Sequence, residues 1–182
     1  MNYCSQCGAA VTVQVPEGDN LPRYVCAACG TIHYRNPKIV AGCLPVWEEQ
    51  VLLCRRAIEP RYGLWTVPAG FMENGETVAE AAARETREEA LADIGDSTLY
   101  AVYSIPHISQ VYMLFRAGLR APRFGAGIES LEVRLFELDA IPWEELAFPV
   151  VREVLSHYLA DRARGEFPVH VGELRRPIEA GD

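Results

Sequence analysis

Chemistry-bearing residues are densest between Gly70 and Glu89, a stretch that reads Gly70-Phe71-Met72-Glu73-Asn74-Gly75-Glu76, then seven residues, then Arg84-Glu85-Thr86-Arg87-Glu88-Glu89. On a helix, side chains three and four positions apart share a face, so Glu85, Glu88 and Glu89 project together. Three carboxylates held this close repel one another unless a cation neutralises them. Hard oxygen donors that leave room for water and phosphate suit Mg2+ or Mn2+. Alone, a Glu-x-x-Glu-Glu run reads as a solvated acidic face. Its approach shifts that balance. Gly70 and Gly75 permit a tight loop close to the helix, and Glu76 and Arg84 are spaced to pair and brace that loop.

A second constellation is made of sulfur. Cys4 and Cys7, and again Cys26 and Cys29, form two Cys-x-x-Cys knuckles, each followed directly by a glycine, Gly8 or Gly30. Two such turns supply the four thiolates of a tetrahedral Zn2+ site. So short a segment can bury little core of its own, and the metal would supply its folding energy. A redox pair fits less well, because neither knuckle sits in a βαβ context. Few basic residues lie in or near the ribbon (Arg23, Arg35 and Lys38), so structural support or a dimer contact is expected rather than nucleic-acid binding. Cys43 and Cys54 lie in apolar runs and read as buried thiols.

These residues need elements to position them. Residues 1–36 form the ribbon, 37–166 the catalytic domain, and 167–182 a C-terminal tail without a strong signal. Apolar runs predict strands over Ile39–Trp47, Val51–Cys54, Leu64–Val67, Leu99–Ile105, Val111–Leu119 and Leu131–Leu138. The glutamates fall on a helix predicted over Thr77–Leu91, which Thr77 and Glu80 open as a capping box. A second amphipathic helix, Pro149–Ala163, buries Val150, Val151, Val154, Leu155, Tyr158 and Leu159. The order β-β-β-α-β-β-β-α argues for a mixed sheet covered by helices.

The balance of the chain excludes some classes. Its 182 residues are 49% hydrophobic and carry a net charge of −8, which gives a sizeable core and no general attraction to nucleic acid or anionic membranes. A phosphate substrate would then need a local cation. The start, Met1-Asn2-Tyr3-Cys4, has no basic and apolar leader, and no apolar run approaches the roughly 20 residues that span a bilayer. A cytoplasmic protein with no membrane partner is expected.

The glutamate stretch resembles the Nudix box: glycine, five residues, glutamate, seven residues, Arg-Glu, an aliphatic, any residue, Glu-Glu, any residue, glycine, an aliphatic. Gly70, Glu76, Arg84, Glu85, Glu88 and Glu89 match in register. With the ribbon, the likeness extends over nearly the whole chain and is nearest to zinc-ribbon Nudix hydrolases such as plant-type FAD and ADP-ribose pyrophosphatases. It implies an α/β fold, a mixed-sheet α/β/α sandwich with a small N-terminal zinc ribbon, and hydrolysis of a pyrophosphate bond. It further implies that Glu85, Glu88 and Glu89, with the Gly70 carbonyl, hold Mg2+ or Mn2+, while Glu76 and Arg84 brace the loop. Two departures stand out. Thr86 replaces an aliphatic residue with little expected effect, and Leu91 replaces the glycine that ends the helix. Leucine adopts a left-handed conformation at a cost, so the helix is expected to run on toward Asp93 or Gly95.

Outside the box, Glu129 and Glu132 precede and enter a strand where related enzymes place a general base, although each reads equally as a surface glutamate. Arg56 ends a strand and is a candidate phosphate contact. Trp65 can stack on a base, although core packing is the better reading. His107 reads as a loop histidine. The resemblance points to ADP-ribose or FAD as substrate, releasing AMP, and to a homodimer. The rivals are an NADH pyrophosphatase, whose Ser-Gln-Pro-Trp-Pro-Phe-Pro stretch is missing from Tyr103–Val111, a nucleotide-sensing module without turnover, and a zinc-ribbon protein acting on RNA caps.

Overall fold

The computed structural model describes residues 1–175; positions 176–182, the end of the segment read as a tail, lie outside the described residues. The chain divides into two compact units, Met1–Pro37 and Lys38–Asp182.

In the first unit, β1 (Thr12–Gln14), β2 (Arg23–Val25) and β3 (Ile32–His33) form an antiparallel sheet in that order. The knuckles close as the sequence requires. Gly8 N–H donates to the Cys4 carbonyl and Gly30 N–H to the Cys26 carbonyl, both at 2.9 Å. Both glycines sit at positive φ, 75° and 73°, a conformation that glycine takes without a Cβ penalty.

The second unit is built on an eight-stranded sheet. Its strands are β4 (Lys38–Trp47), β5 (Gln50–Arg56), β6 (Trp65–Thr66), β7 (Ala69–Phe71), β8 (Ile94–Ile105), β9 (Gln110–Leu119), β10 (Ser130–Glu137) and β11 (His170–Glu173). The main path runs β10-β5-β4-β9-β8-β11, with β6 on β5 and β7 on β4. The pairs β4/β9 and β8/β11 are parallel and the rest antiparallel. Period-two alternation sends neighbouring residues to opposite faces. Leu44, Val51 and Leu53 pack with Val150, Val151, Val154, Leu155 and Tyr158 of helix α2 (Pro149–Arg164). Cys43, Leu52 and Cys54 pack with Ala82 and Ala90 of helix α1 (Val78–Ala90) on the other side. One helix on each face gives the expected α/β/α sandwich. The apolar surface of β4 and β5, continuous in sequence, is divided between two cores.

Two expectations are corrected. First, α1 does not run on. Thr77 caps its start with both halves of the capping box, but its end is Leu91 itself, left-handed at φ 47° and ψ 34°. The carbonyls freed at this end are met by the loop between β9 and β10: Gly125 N–H donates to Ala90 O at 2.8 Å and Gly127 N–H to Glu89 O at 3.1 Å. Those bonds offset the cost of a leucine in this conformation, roughly 1–2 kcal/mol. Leu91→Gly is therefore expected to raise stability by about 1 kcal/mol, measured as a higher midpoint in urea with an unchanged slope. Second, the segment from Phe167, for which the sequence offered no element, contributes β11. Its pattern of exposed and half-buried residues carries no apolar run, because it is a short edge strand. Among the described residues no helix is long and apolar enough to cross a membrane.

Candidate active site

The loop before α1 and the helix face behind it are locked together by one arginine. Arg84 donates through Nε and Nη2 to both carboxylate oxygens of Glu76, at 3.0 and 2.9 Å, and through Nη2 to Phe71 O at 3.2 Å. This is the brace expected from spacing. The same guanidinium does more, donating through Nη1 to Glu85 Oε1 at 2.7 Å and Glu88 Oε2 at 3.0 Å. Arg84 therefore supplies the positive charge that lets two helix carboxylates share a face. Its hydrogen bonds to Glu76, helped by the backbone N–H of Glu73, hold the Glu76 carboxyl down at about 2.

The third carboxylate is deeper. Glu89 is 7% exposed and accepts from Ala69 N–H at 3.2 Å. Burial pushes its carboxyl up to about 8, with the charges of Glu85 and Glu129 adding to the rise and Ala69 N–H and Arg56 opposing it. Burial also raises Glu85, against the pull of Arg84. Gly70 packs so tightly here that a Cβ on it would come 2.3–2.6 Å from the Glu85 carboxylate. A side chain at this position would push the Glu85 carboxylate from its place, so glycine lets loop backbone sit against the helix carboxylates. Buried oxygen donors that share one wall, and that burial drives toward the neutral form, make a donor set suited to a hard divalent cation.

All of this opens into a cavity of about 1440 Å3 lined by Gly70, Arg84, Glu85, Glu88 and Glu89 and also by Arg56, Tyr112, Glu129 and Phe148. Arg56 is buried, anchored by its Nε donating to Pro60 O at 2.9 Å, with its guanidinium 5.1 Å from the centre of the Phe148 ring. Glu129 stands on the same cavity, its charge felt by Glu85 and Glu89. Glu132, weighed beside it, lies outside the cavity and faces Arg55 at 4.0 Å across β10 and β5. A bulge between Ser130 and Glu132 separates the two glutamates. Of the two readings weighed for Trp65, stacking on a base falls away and core packing stays. Trp65 is 5% exposed, edge-on to Phe136 at 4.8 Å, and lies off the cavity as a core residue. His107 lines the cavity. Tyr112, Phe148 and Gly127 were not legible as site residues. Tyr112 and Phe148 sit in ordinary apolar patterns, and the signal that could have found Gly127 is the Gly125-Ala126-Gly127 spacing, which suits close backbone approach.

In the ribbon, the Sγ atoms of Cys4, Cys7, Cys26 and Cys29 lie within 4.8 Å of one another, and among the described residues this is the group whose ligand atoms already converge on a metal-sized space. His33 Nε2 stands 3.3 Å from Cys4 Sγ, and Gln6 N–H donates to the same sulfur at 3.4 Å. Such contacts stabilise thiolate in a structural zinc site. Cys26→Ser is expected to unfold the Met1–Pro37 unit and leave the larger unit folded, since each is a compact unit by itself. The check is loss of ribbon amide signals in a two-dimensional NMR spectrum, with metal analysis falling from about one zinc per chain.

Residues 36–158 match the NUDIX domain, and residues 2–35 match the Nudix N-terminal zinc ribbon. A NUDIX hydrolase from Nitrosomonas europaea, known from its crystal structure, is 57% identical, with a TM-score of 0.94 over 97% of this chain and 100% of that one. An ADP-ribose pyrophosphatase of Methanocaldococcus jannaschii is 33% identical over 122 residues, 63% of this chain and 69% of that protein. The NAD-capped RNA hydrolase NudC of Stutzerimonas stutzeri is 29% identical over 173 residues, 93% of this chain. The chain spans about 60% of that relative's length. Domain match, helix geometry and ribbon together place the chain in the Nudix family, as a member with an N-terminal zinc ribbon.

Proposed function

We propose that the protein is a divalent-cation-dependent pyrophosphatase that hydrolyses a nucleoside diphosphate linked to a second moiety, most readily FAD or ADP-ribose, releasing AMP. The observation that carries this reading is the single cavity in which Gly70, Glu85, Glu88 and Glu89 meet Arg56 and an aromatic wall. With a divalent cation held by the glutamates, a polyphosphate would be drawn there and to the guanidinium, and a base or ring to the aromatic wall. Family membership, the ADP-ribose pyrophosphatase relative and the plant-type likeness of the box and ribbon support it.

Glu85, Glu88 and Glu89, with the Gly70 carbonyl, are the residues that would hold Mg2+ or Mn2+. When bound, a divalent ion supplies charge neutralisation of the pyrophosphate and a more acidic water. Arg84 compensates Glu85 and Glu88 and keeps their helix face set against the loop. Glu89, raised by burial, would have to lose its proton to serve as an anionic ligand. Glu129, on the same cavity, is our candidate to take the proton of an attacking water. Arg56, fixed by Pro60, offers its remaining N–H groups to phosphate oxygens. We read the active species as a cytoplasmic homodimer.

A second reading is favoured by the NudC relative: an NAD-type dinucleotide, free or at an RNA end, as preferred substrate. A panel of ADP-ribose, FAD, NADH, NAD, NAD-capped RNA and nucleoside triphosphates, with Mg2+ or Mn2+ and chromatography of products, separates the readings. AMP fastest from FAD or ADP-ribose supports the proposal. A preference for NADH or capped RNA moves the substrate to the second reading. Tight binding with no turnover removes the enzyme claim.

A further inference from the structure

The NUDIX match stops at residue 158, yet the chain beyond it is firmly built into the larger unit. Phe167 packs against Tyr158, and the Arg116 guanidinium lies 3.8 Å above its ring. Asp161, fully buried, accepts at 2.6 Å from Tyr100 OH and pairs at 2.6 Å with His170 Nε2 through the same oxygen. The His170 ring stacks at 3.8 Å on His157, whose Nε2 is 2.8 Å from Tyr103 OH. These contacts pin the start of β11, which then pairs with β8 from His170↔Ala101 to Glu173↔Ser104. One more bond, Leu174 N–H to Ser104 O at 2.9 Å, fixes the next residue.

That next residue reaches the site. Leu174 is half-buried and lines the cavity, and among the described residues it is the lining side chain that comes from beyond the family match. Parallel register with β8 sets it beside Ile105, and Tyr112, Val150 and Val151 line the same cavity. Leu174 and Ile105 offer only hydrocarbon here, backed by the buried side chains of Val150 and Val151. Such a wall gains by covering a flat ring and leaves the hydroxyls of a bare sugar without partners.

We propose that Leu174 is a specificity-determining residue: it completes an apolar wall that packs against the ring of the substrate's second moiety, so that a dinucleotide carrying a ring on both halves, such as FAD, is preferred over ADP-ribose. This rests on the pyrophosphatase reading and deepens it. The anchoring by Asp161, His170 and Phe167 holds the wall in place without itself touching substrate.

The test compares the zinc-loaded full chain with Leu174→Ala and with Leu174→Val as a milder variant. Melting is recorded alongside, to confirm that each is folded. Equilibrium titration with FAD and with ADP-ribose, with Ca2+ in place of Mg2+ as the oxygen-bound cation, is paired with steady-state kinetics in Mg2+. A side-chain difference of this size in an apolar pocket is worth about tenfold or more. The expected result for Leu174→Ala is therefore an FAD Kd and KM raised about tenfold, kcat nearly unchanged, ADP-ribose unaffected, and Leu174→Val in between. Equal weakening of FAD and ADP-ribose, or no change in either, would overturn the proposal. So would failure of the unaltered protein to bind FAD. If FAD binds in a Leu174-dependent way without being hydrolysed, the wall stands and the pyrophosphatase reading falls. If FAD is hydrolysed and Leu174→Ala is indifferent, only the wall falls.

Discussion

Glu89→Gln is expected to lower hydrolysis by roughly 10²–10³-fold while making the metal-free protein more stable at pH 8. Both effects come from one burial. The Glu89 carboxyl ionises near 4.5 when the chain is unfolded and at about 8 when folded. Between those values the folded protein holds a proton that the unfolded chain has released. Stability therefore falls as pH rises through that window and levels off above it. Glutamine has no charge to desolvate and can still accept from Ala69 N–H, so the variant escapes the fall. The advantage is absent near pH 4, grows toward pH 8 and appears as a melting midpoint several degrees higher. Both proteins are to be measured with the catalytic divalent ion removed and zinc retained. With Mg2+ the comparison reverses, because an anionic ligand at this position gains a cation and an amide does not. A variant that kept full activity would remove Glu89 from the metal-holding set. A variant with reduced activity but no pH-dependent gain would show that burial does not set its protonation. A site that is strained in the absence of its cation is what a function-bearing acidic cluster should look like.

The box was legible because its chemistry is local. Glu85, Glu88 and Glu89 lie within five residues, their helical spacing fixes their shared face, and Thr77 and Glu80 announce where the helix begins. The knuckles were legible for the same reason, as were most strands, whose apolar runs are long. What stayed hidden depends on partners distant in sequence. The end of α1 could not be read from Leu91, since the groups that meet its carbonyls come from Gly125 and Gly127. Trp65 and Glu132 belong to types that often touch ligands, and only the sheet shows that one faces Phe136 and the other Arg55. The strand β11 has no pattern of its own and is held by Asp161, Tyr100 and Ser104. Arg84 was read as a brace for Glu76 alone, because a sequence does not show how many carboxylates one guanidinium can reach.

Gly127→Ala is expected to be the most disruptive single-methyl change in the catalytic unit. A Cβ at that position would fall 1.7 Å from the Glu88 carbonyl oxygen and 2.8 Å from its carbonyl carbon. No rotamer relieves a collision between a Cβ and backbone, so the loop has to withdraw from the end of α1. With it go the N–H groups of Gly125 and Gly127 that serve Ala90 O and Glu89 O, and the Ser130 N–H bond to Gly127 O that starts β10. Leu91 then has nothing to offset its left-handed conformation, and the carboxylates of Glu88 and Glu89 lose their fixed frame. Glu129, two residues further on, leaves its place on the cavity. Overpacking of this kind costs about 1–3 kcal/mol, and displacement by an ångström of the groups proposed to hold the cation and accept the proton can cost roughly 10²-fold in rate. The expected outcome is a loss of about that size in kcat/KM together with a lowered unfolding midpoint, whereas Ala126→Gly, next door, leaves both nearly intact. Amide exchange separates this account from general destabilisation: deprotection should be confined to the end of α1 and the loop through Ser130, with the α2 core still protected. An active Gly127→Ala protein with native exchange would mean that the loop does not set the geometry of the glutamate helix.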